Sequence, residues 1–232
     1  MKPSEIDTNK VVISDMVDYT IKSGSGTIKF KRIFVGYQVT DEKITSLCIQ
    51  APKQDSYGIQ KYNETAKCKV CFIRDETNAK QEAFVRCIEK VDARVCELAK
   101  KYKHPMITHI AANSPVKDGK IPTFCQQKTK VTDDGIERII TTAFYNKHRL
   151  QVDPKIYHGK KLSMVAAITF RDVYLSSNAL PEKSLEIRQA VVTGAHDAPK
   201  QELMIEVDDD DFSDDEDDDF NNSPPSTFAD LE

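Results

Sequence analysis

Three observations predict a mainly β fold: a partly open β-barrel with one inserted amphipathic α-helix, followed by a disordered acidic tail. Long β-branched and aromatic runs at residues 27–39 and 161–176 read as strands. A single segment, residues 78–102, repeats apolar residues at three- and four-residue spacing. From Glu206 to Glu232 there are thirteen acidic residues and no basic one. That tail cannot repay the entropy of ordering, so the folded domain is assigned to residues 1–205 and the tail to 206–232.

The elements follow in order. An apolar stretch at Val11–Ile13 precedes a Ser-Gly turn at residues 23–26. The strand at 27–39 changes its alternation near Arg32, which suits a bulge or bend. A second strand covers 44–50, a Pro- and Gly-bearing loop 52–58, and a third strand 66–74. In the helix, Phe84, Cys87, Ile88, Val91, Val95, Leu98, Ala99 and Tyr102 form the apolar stripe. Thr77 or Asn78 stands at its cap, and Pro105 prevents continuation. Pro115, Gly119 and Pro122 mark a loop-rich stretch. Residues 136–150 read as one strand placing Tyr145, Lys147 and Arg149 on the same face, and 161–176 as another. Order becomes doubtful from about residue 179, with a short helix or strand at 185–192. Few βα alternations occur, which argues against a doubly wound sheet.

Charge separates body from tail. The chain has 33 Lys and Arg against 37 Asp and Glu; without the tail's thirteen acids the body carries about +9. A basic body joined to a polyanion points to a polyanionic partner, gated by an internal competitor. The six cysteines lie mostly in apolar patterns, without an export signal, which suits free thiols in a reducing, intracellular compartment. No apolar run is long enough for a membrane helix, so no membrane partner is expected.

Five surfaces mix cations with aromatic rings. They are Lys29, Lys31 and Arg32 with Phe30, Phe34 and Tyr37; Tyr57 with Lys61 and Tyr62; and Lys67 and Lys69 with Phe72. The others are Tyr145 with Lys147 and Arg149, and Tyr157 with Lys160 and Lys161. Cations follow phosphates while exposed rings stack on bases irrespective of sequence. The competing role for the phenylalanines is the core. Cys68 and Cys71 have half of a zinc spacing, but no second pair completes it. No nucleotide-loop, metalloprotease or nucleophile-elbow motif occurs, so neither enzyme activity nor a cofactor or metal is expected. In the tail, Phe220, Phe228 and Leu231 interrupt the acids like a short docking peptide, and Ser213 precedes an acidic run that suits an acidophilic kinase.

The helix at about 78–102, the closing strand LSMVAAITFRDVYLS and the tail DDDDFSDDEDDDF together resemble viral replicative single-stranded DNA-binding proteins. These are of the bacteriophage T7 type, with counterparts in large nucleocytoplasmic DNA viruses. The segment SLCIQAPKQDSYGIQKY adds a looser similarity to the large-virus proteins. The resemblance implies an OB-like barrel that binds single strands through a basic, aromatic face. It also implies a tail that contacts replication proteins, in a host nucleus or cytoplasmic replication site. Here ADLE follows the last aromatic, Phe228, unlike the terminal aromatic of the T7 type.

The expected function is sequence-independent binding of single-stranded DNA in replication, recombination or repair, with homo-oligomers open. Two other classes fit the composition: an acidic-tailed interaction or histone-chaperone-like factor, and a structural virion protein.

Overall fold

The stripe of residues 78–102 folds as helix α1, Ala79–Ala99. The Asn78 side chain caps it by accepting the N–H groups of Lys80 and Gln81 at 3.1 and 3.3 Å. Phe84, Val85, Ile88, Val91, Val95 and Ala99 are fully buried; a phenylalanine so placed contributes about 2–3 kcal/mol relative to an exposed one. Pro105 opens a 3-10 segment, Pro105–Ala112, in place of further α-helix.

The computed structural model describes residues 1–23, 26–61, 68–73, 75–117, 120–132, 135–176 and 179–197. The strands are β1 (Val11–Ser23), β2 (Gly26–Thr40), β3 (Lys43–Ser46), β4 (Cys48–Gln50), β5 (Gln54–Lys61) and β6 (Cys68–Ile73), all before α1. After it come β7 (Lys120–Cys125), β8 (Gln127–Thr132), β9 (Gly135–Ile140), β10 (Ala143–Tyr145), β11 (Gln151–Val152), β12 (Lys160–Ser176) and β13 (Ala179–Asp197). The fold is thus dominated by strands, with one α-helix among the described residues. The main sheet runs β1-β2-β12-β5-β6-β7-β13-β10-β11, with β3 beside β2 and β4 beside β12. This path is open, ending on β1 and β11, while β8 and β9 form a separate ribbon. Strand β12 also pairs with β13 over most of its length. One core joins the helix stripe to Ile33, Val35, Tyr37, Ile49, Ile168 and Phe170. No helix among the described residues is long and apolar enough to cross a membrane.

Several sequence expectations need correction. The apolar stretch at Val11–Ile13 begins a long edge strand, which continues through Asp15 and Asp18, both exposed to solvent. Residues 52–58 are not a loop. Most of them belong to β5, where Gly58 (φ +80°) sits at a register shift between Ser56 and Ile59. The phase change near Arg32 is present: Phe30 is buried on one face of β2, and Ile33, Val35 and Tyr37 on the other. The bulge itself lies in β1, where Ser14 and Asp15 face Phe34 alone. The Ser14 hydroxyl accepts the Phe34 N–H at 2.9 Å, and its carbonyl accepts the Tyr102 hydroxyl. Within the loop-rich stretch lies β7, which contains Pro122. Residues 136–150 are divided between β9 and β10, and the chain reverses after Tyr145. The segment from residue 179 is a 19-residue strand, ordered by pairing with β12.

Candidate nucleic-acid interface

The register of β1, β2 and β12 assembles an aromatic cluster that no local segment contains. Tyr19 stands opposite Phe30, and Tyr174 opposite Arg32. Alternation puts these four on the face of β2 opposite to the one carrying Ile33, Val35 and Tyr37. The Tyr19 and Phe30 rings stack with centroids 5.4 Å apart and planes within 7°. Tyr174 packs against Phe30 at 4.8 Å, and Phe34 meets Tyr19 edge-on at 6.4 Å. The Arg32 guanidinium lies 5.4 Å from the Tyr19 centroid and 5.3 Å from that of Phe30, within cation–π range. Phe30 is covered by its neighbours, whereas Tyr19, Arg32, Phe34 and Tyr174 are half-buried and Val17 is exposed.

Electrostatics fix this cluster. Asp172 lies between two guanidiniums, 3.5 Å from Arg32 and 3.6 Å from Arg171. Arg171 also bonds Glu186. Burial pushes the Asp172 carboxyl above its ordinary range, against the opposing pull of Arg32, Ser184 and Arg171. Its Oδ2 has no hydrogen bond among the described residues, so it holds the guanidiniums by charge. Two carboxylates balance two arginines here. The arginines of the cluster are therefore locally neutralised.

The residues expected from sequence scatter across the fold. Lys29 and Lys31 flank Phe30 but lie on the opposite face from Arg32. Lys29 is exposed, and Lys31 pairs with Asp18 at 2.5 Å. Tyr37 is a core residue, 6% exposed, whose hydroxyl accepts the Asp7 N–H at 3.2 Å; its position in β2 points it inward. Tyr157 is likewise buried, against Phe144. Tyr145 is half-buried at the end of β10, whereas Lys147 and Arg149 are exposed on the following turn. Asn146 organises that turn by accepting the N–H groups of His148 and Leu150, and Arg149 adopts φ +62°. These three side chains therefore do not share a strand face.

Lys160 lies 3.9 Å from Asp197, and Lys161 is exposed. Lys69 occupies a register position between Gln60 of β5 and Phe124 of β7. Tyr57 and Lys61 belong to β5. Lys67, Phe220, Phe228 and Leu231 lie outside the described residues. Tyr19, Tyr174, Arg171 and Asp172 are additions that sequence reading missed. Tyr19 and Tyr174 reach Phe30 only through strand pairing, although both sit among strand-forming residues.

No protein-family model matches the chain, and no curated protein matches it. Among solved structures it is similar to the crystal structure of gp2.5, a single-stranded DNA binding protein encoded by bacteriophage T7. The TM-score is 0.41 and the identity 14%, over 78% of this chain and 100% of that chain. The resemblance is distant.

Proposed function

We propose that this protein binds single-stranded DNA without sequence preference and catalyses no reaction. The observation that carries the reading is the Arg32 guanidinium over the Tyr19 and Phe30 rings, with Tyr174 alongside, on the face of the sheet turned from the core. Half-buried rings held by neighbours are pre-organised to stack on bases, which duplex DNA keeps within its own stack.

Strand pairing supports an OB-like barrel beneath this surface. Strand β12 pairs with β5, β5 with β6, β6 with β7, β7 in parallel with β13, and β13 with β12, a circuit of five. Barrels of this kind bind oligonucleotides on the face of their second and third strands, here β6 and β7. One register row runs across these strands through Gln60, Lys69, Phe124 and Glu186. The Arg171–Glu186 pair joins the row to the aromatic cluster. The basic body supplies the phosphate attraction. The acidic tail, by charge alone, competes for the same cations and lowers affinity until displaced. Phe220, Phe228 and Leu231 supply a docking peptide for proteins of replication, recombination or repair.

The test is a Tyr19→Leu, Tyr174→Leu double variant titrated with labelled oligo-dT. Loss of roughly 1–3 kcal/mol per base stack is expected. Unchanged affinity in a variant that retains its unfolding midpoint contradicts the reading.

A further inference from the structure

The sheet path that begins at β1 ends on β11, which keeps one edge without a strand partner among the described residues. Alternate residues of such an edge turn N–H and C=O groups outward. The turn before it, residues 146–150, is tightly closed. The Asn146 N–H donates to the Leu150 carbonyl and the Arg149 N–H to the Asn146 carbonyl, both at 2.9 Å. Arg149 is the single non-glycine residue with positive φ among the described residues. Glycine suits that conformation better, and strained positions of this kind cluster at ligand clamps. The Arg149 side chain is exposed and has no ion-pair partner among the described residues, and the same holds for Lys147 and Lys155. Leu150, 64% exposed, and Ile156, 52% exposed, bracket β11 in the chain. Residues 143–152 contain no acid. Asp153 comes next, and its carboxylate accepts the Lys155 N–H at 2.9 Å. Ile156 lies on a 3-10 turn, Pro154–Tyr157, which Tyr157 pins to Phe144 of β10 with ring centroids 6.0 Å apart.

We propose that this corner of the sheet docks an extended acidic peptide bearing large apolar residues, added as a strand at the edge of β11. Three features select that partner. Lys147, Arg149 and Lys155 call for anions. Leu150 and Ile156 call for apolar side chains, and an extended chain alternating acid with apolar residues presents the two on opposite faces. The free edge calls for a regular row of backbone donors and acceptors, which a peptide supplies and a lipid headgroup does not. Single-stranded DNA fits less well. Tyr157 is 6% exposed and Tyr145 half-buried, which leaves the His148 imidazole as the exposed ring of the turn. Leu150 and Ile156 have no π-face on which a base could stack. The corner is also separate from the aromatic cluster. Tyr145 stands beside Val191, and Val191 opposite Val165, roughly 30 Å of strand from Tyr174 along β12. The assignment therefore does not depend on single-strand binding.

The test titrates full-length protein into labelled decapeptides by fluorescence anisotropy. One peptide alternates Asp with Leu and the other Asp with Ser, so both carry the same charge. The Asp-Leu peptide should bind about 10-fold tighter. Leu150→Ser should bring the two peptides to equal affinity. Arg149→Gly should weaken both about 3–10-fold. Glycine suits the φ of +62° at that position, so this variant should keep or raise the unfolding midpoint while it binds less well. Equal affinity for the two peptides in the unaltered protein overturns the proposal, as does a preference that survives Leu150→Ser. Phosphatidylserine vesicles and oligo-dT are titrated in parallel. Vesicle binding without binding of either peptide assigns the corner to a lipid surface and overturns the proposal. Loss of oligo-dT affinity in Arg149→Gly, with no preference between the peptides, assigns it to nucleic acid and also overturns it.

Discussion

Lys183 and Asp92 meet in the protein interior, with Lys183 Nζ 2.7 Å from one Asp92 oxygen and 2.9 Å from the other. The pair ties β13 to α1, and the lysine side chain is wholly buried. Lys183→Met should cost about 3–5 kcal/mol, because it leaves a buried carboxylate without its partner. The Lys183→Met, Asp92→Leu double variant should recover much of that loss. Urea unfolding of the three proteins measures both effects; additive losses would contradict the coupling.

Asp92 and Asp172 also shape the response to acid. Burial raises the carboxyl of Asp92 against the pull of Lys183, and that of Asp172 against the pull of Arg32. A carboxyl with a folded pKa above its unfolded value of about 3.9 binds protons more tightly in the folded state. Its stabilising contribution is therefore full at low pH, declines as pH rises through that window, and is constant above it. Asp172→Asn should flatten the stability profile between the unfolded and folded values. An unchanged slope in urea midpoints across that window would refute this.

Gly58 combines φ +80° with a backbone contact that excludes a side chain. A Cβ there would lie 1.7 Å from the Lys160 carbonyl oxygen. Gly58→Ala should destabilise by about 2–4 kcal/mol through displacement of β12 from β5, as measured by thermal unfolding. A loss below about 0.5 kcal/mol, as for an ordinary surface change, would contradict that close packing.

The thirteen acids of residues 206–232 oppose in sign a body of about +9. Truncation before Asp208 should tighten binding to oligo-dT, most at low salt, because screening at higher salt already weakens competition by the acids. Phe228→Ala with Leu231→Ala alters no charge and should leave that affinity unchanged while abolishing partner contact. Equal affinity of full-length and truncated protein at low salt would refute the competition.

The helix was legible because its period and its Asn78 cap are local signals. The strands at 27–39 and 161–176 were legible for the same reason. Strand β5 was misread because Pro52 and Gly58 are turn residues by composition, yet Gly58 serves a register shift inside a strand. The reversal after Tyr145 carries no Gly or Pro; Asn146 makes it by side-chain hydrogen bonds, and Arg149 takes the left-handed conformation. In the candidate interface, Lys29 to Arg32 stood out by composition, but alternation divides them between two faces. Tyr19 and Tyr174 join Arg32 only through the pairing of β1 and β12 with β2, a relationship that neither segment reveals alone.

The most direct measurement is titration of the intact protein with labelled oligo-dT and with duplex DNA of equal length across a salt series. The expected result is tighter binding to oligo-dT, with an affinity that falls steeply and linearly on logarithmic axes as salt rises. Equal or stronger binding to duplex, or no binding to oligo-dT at low salt, would contradict it.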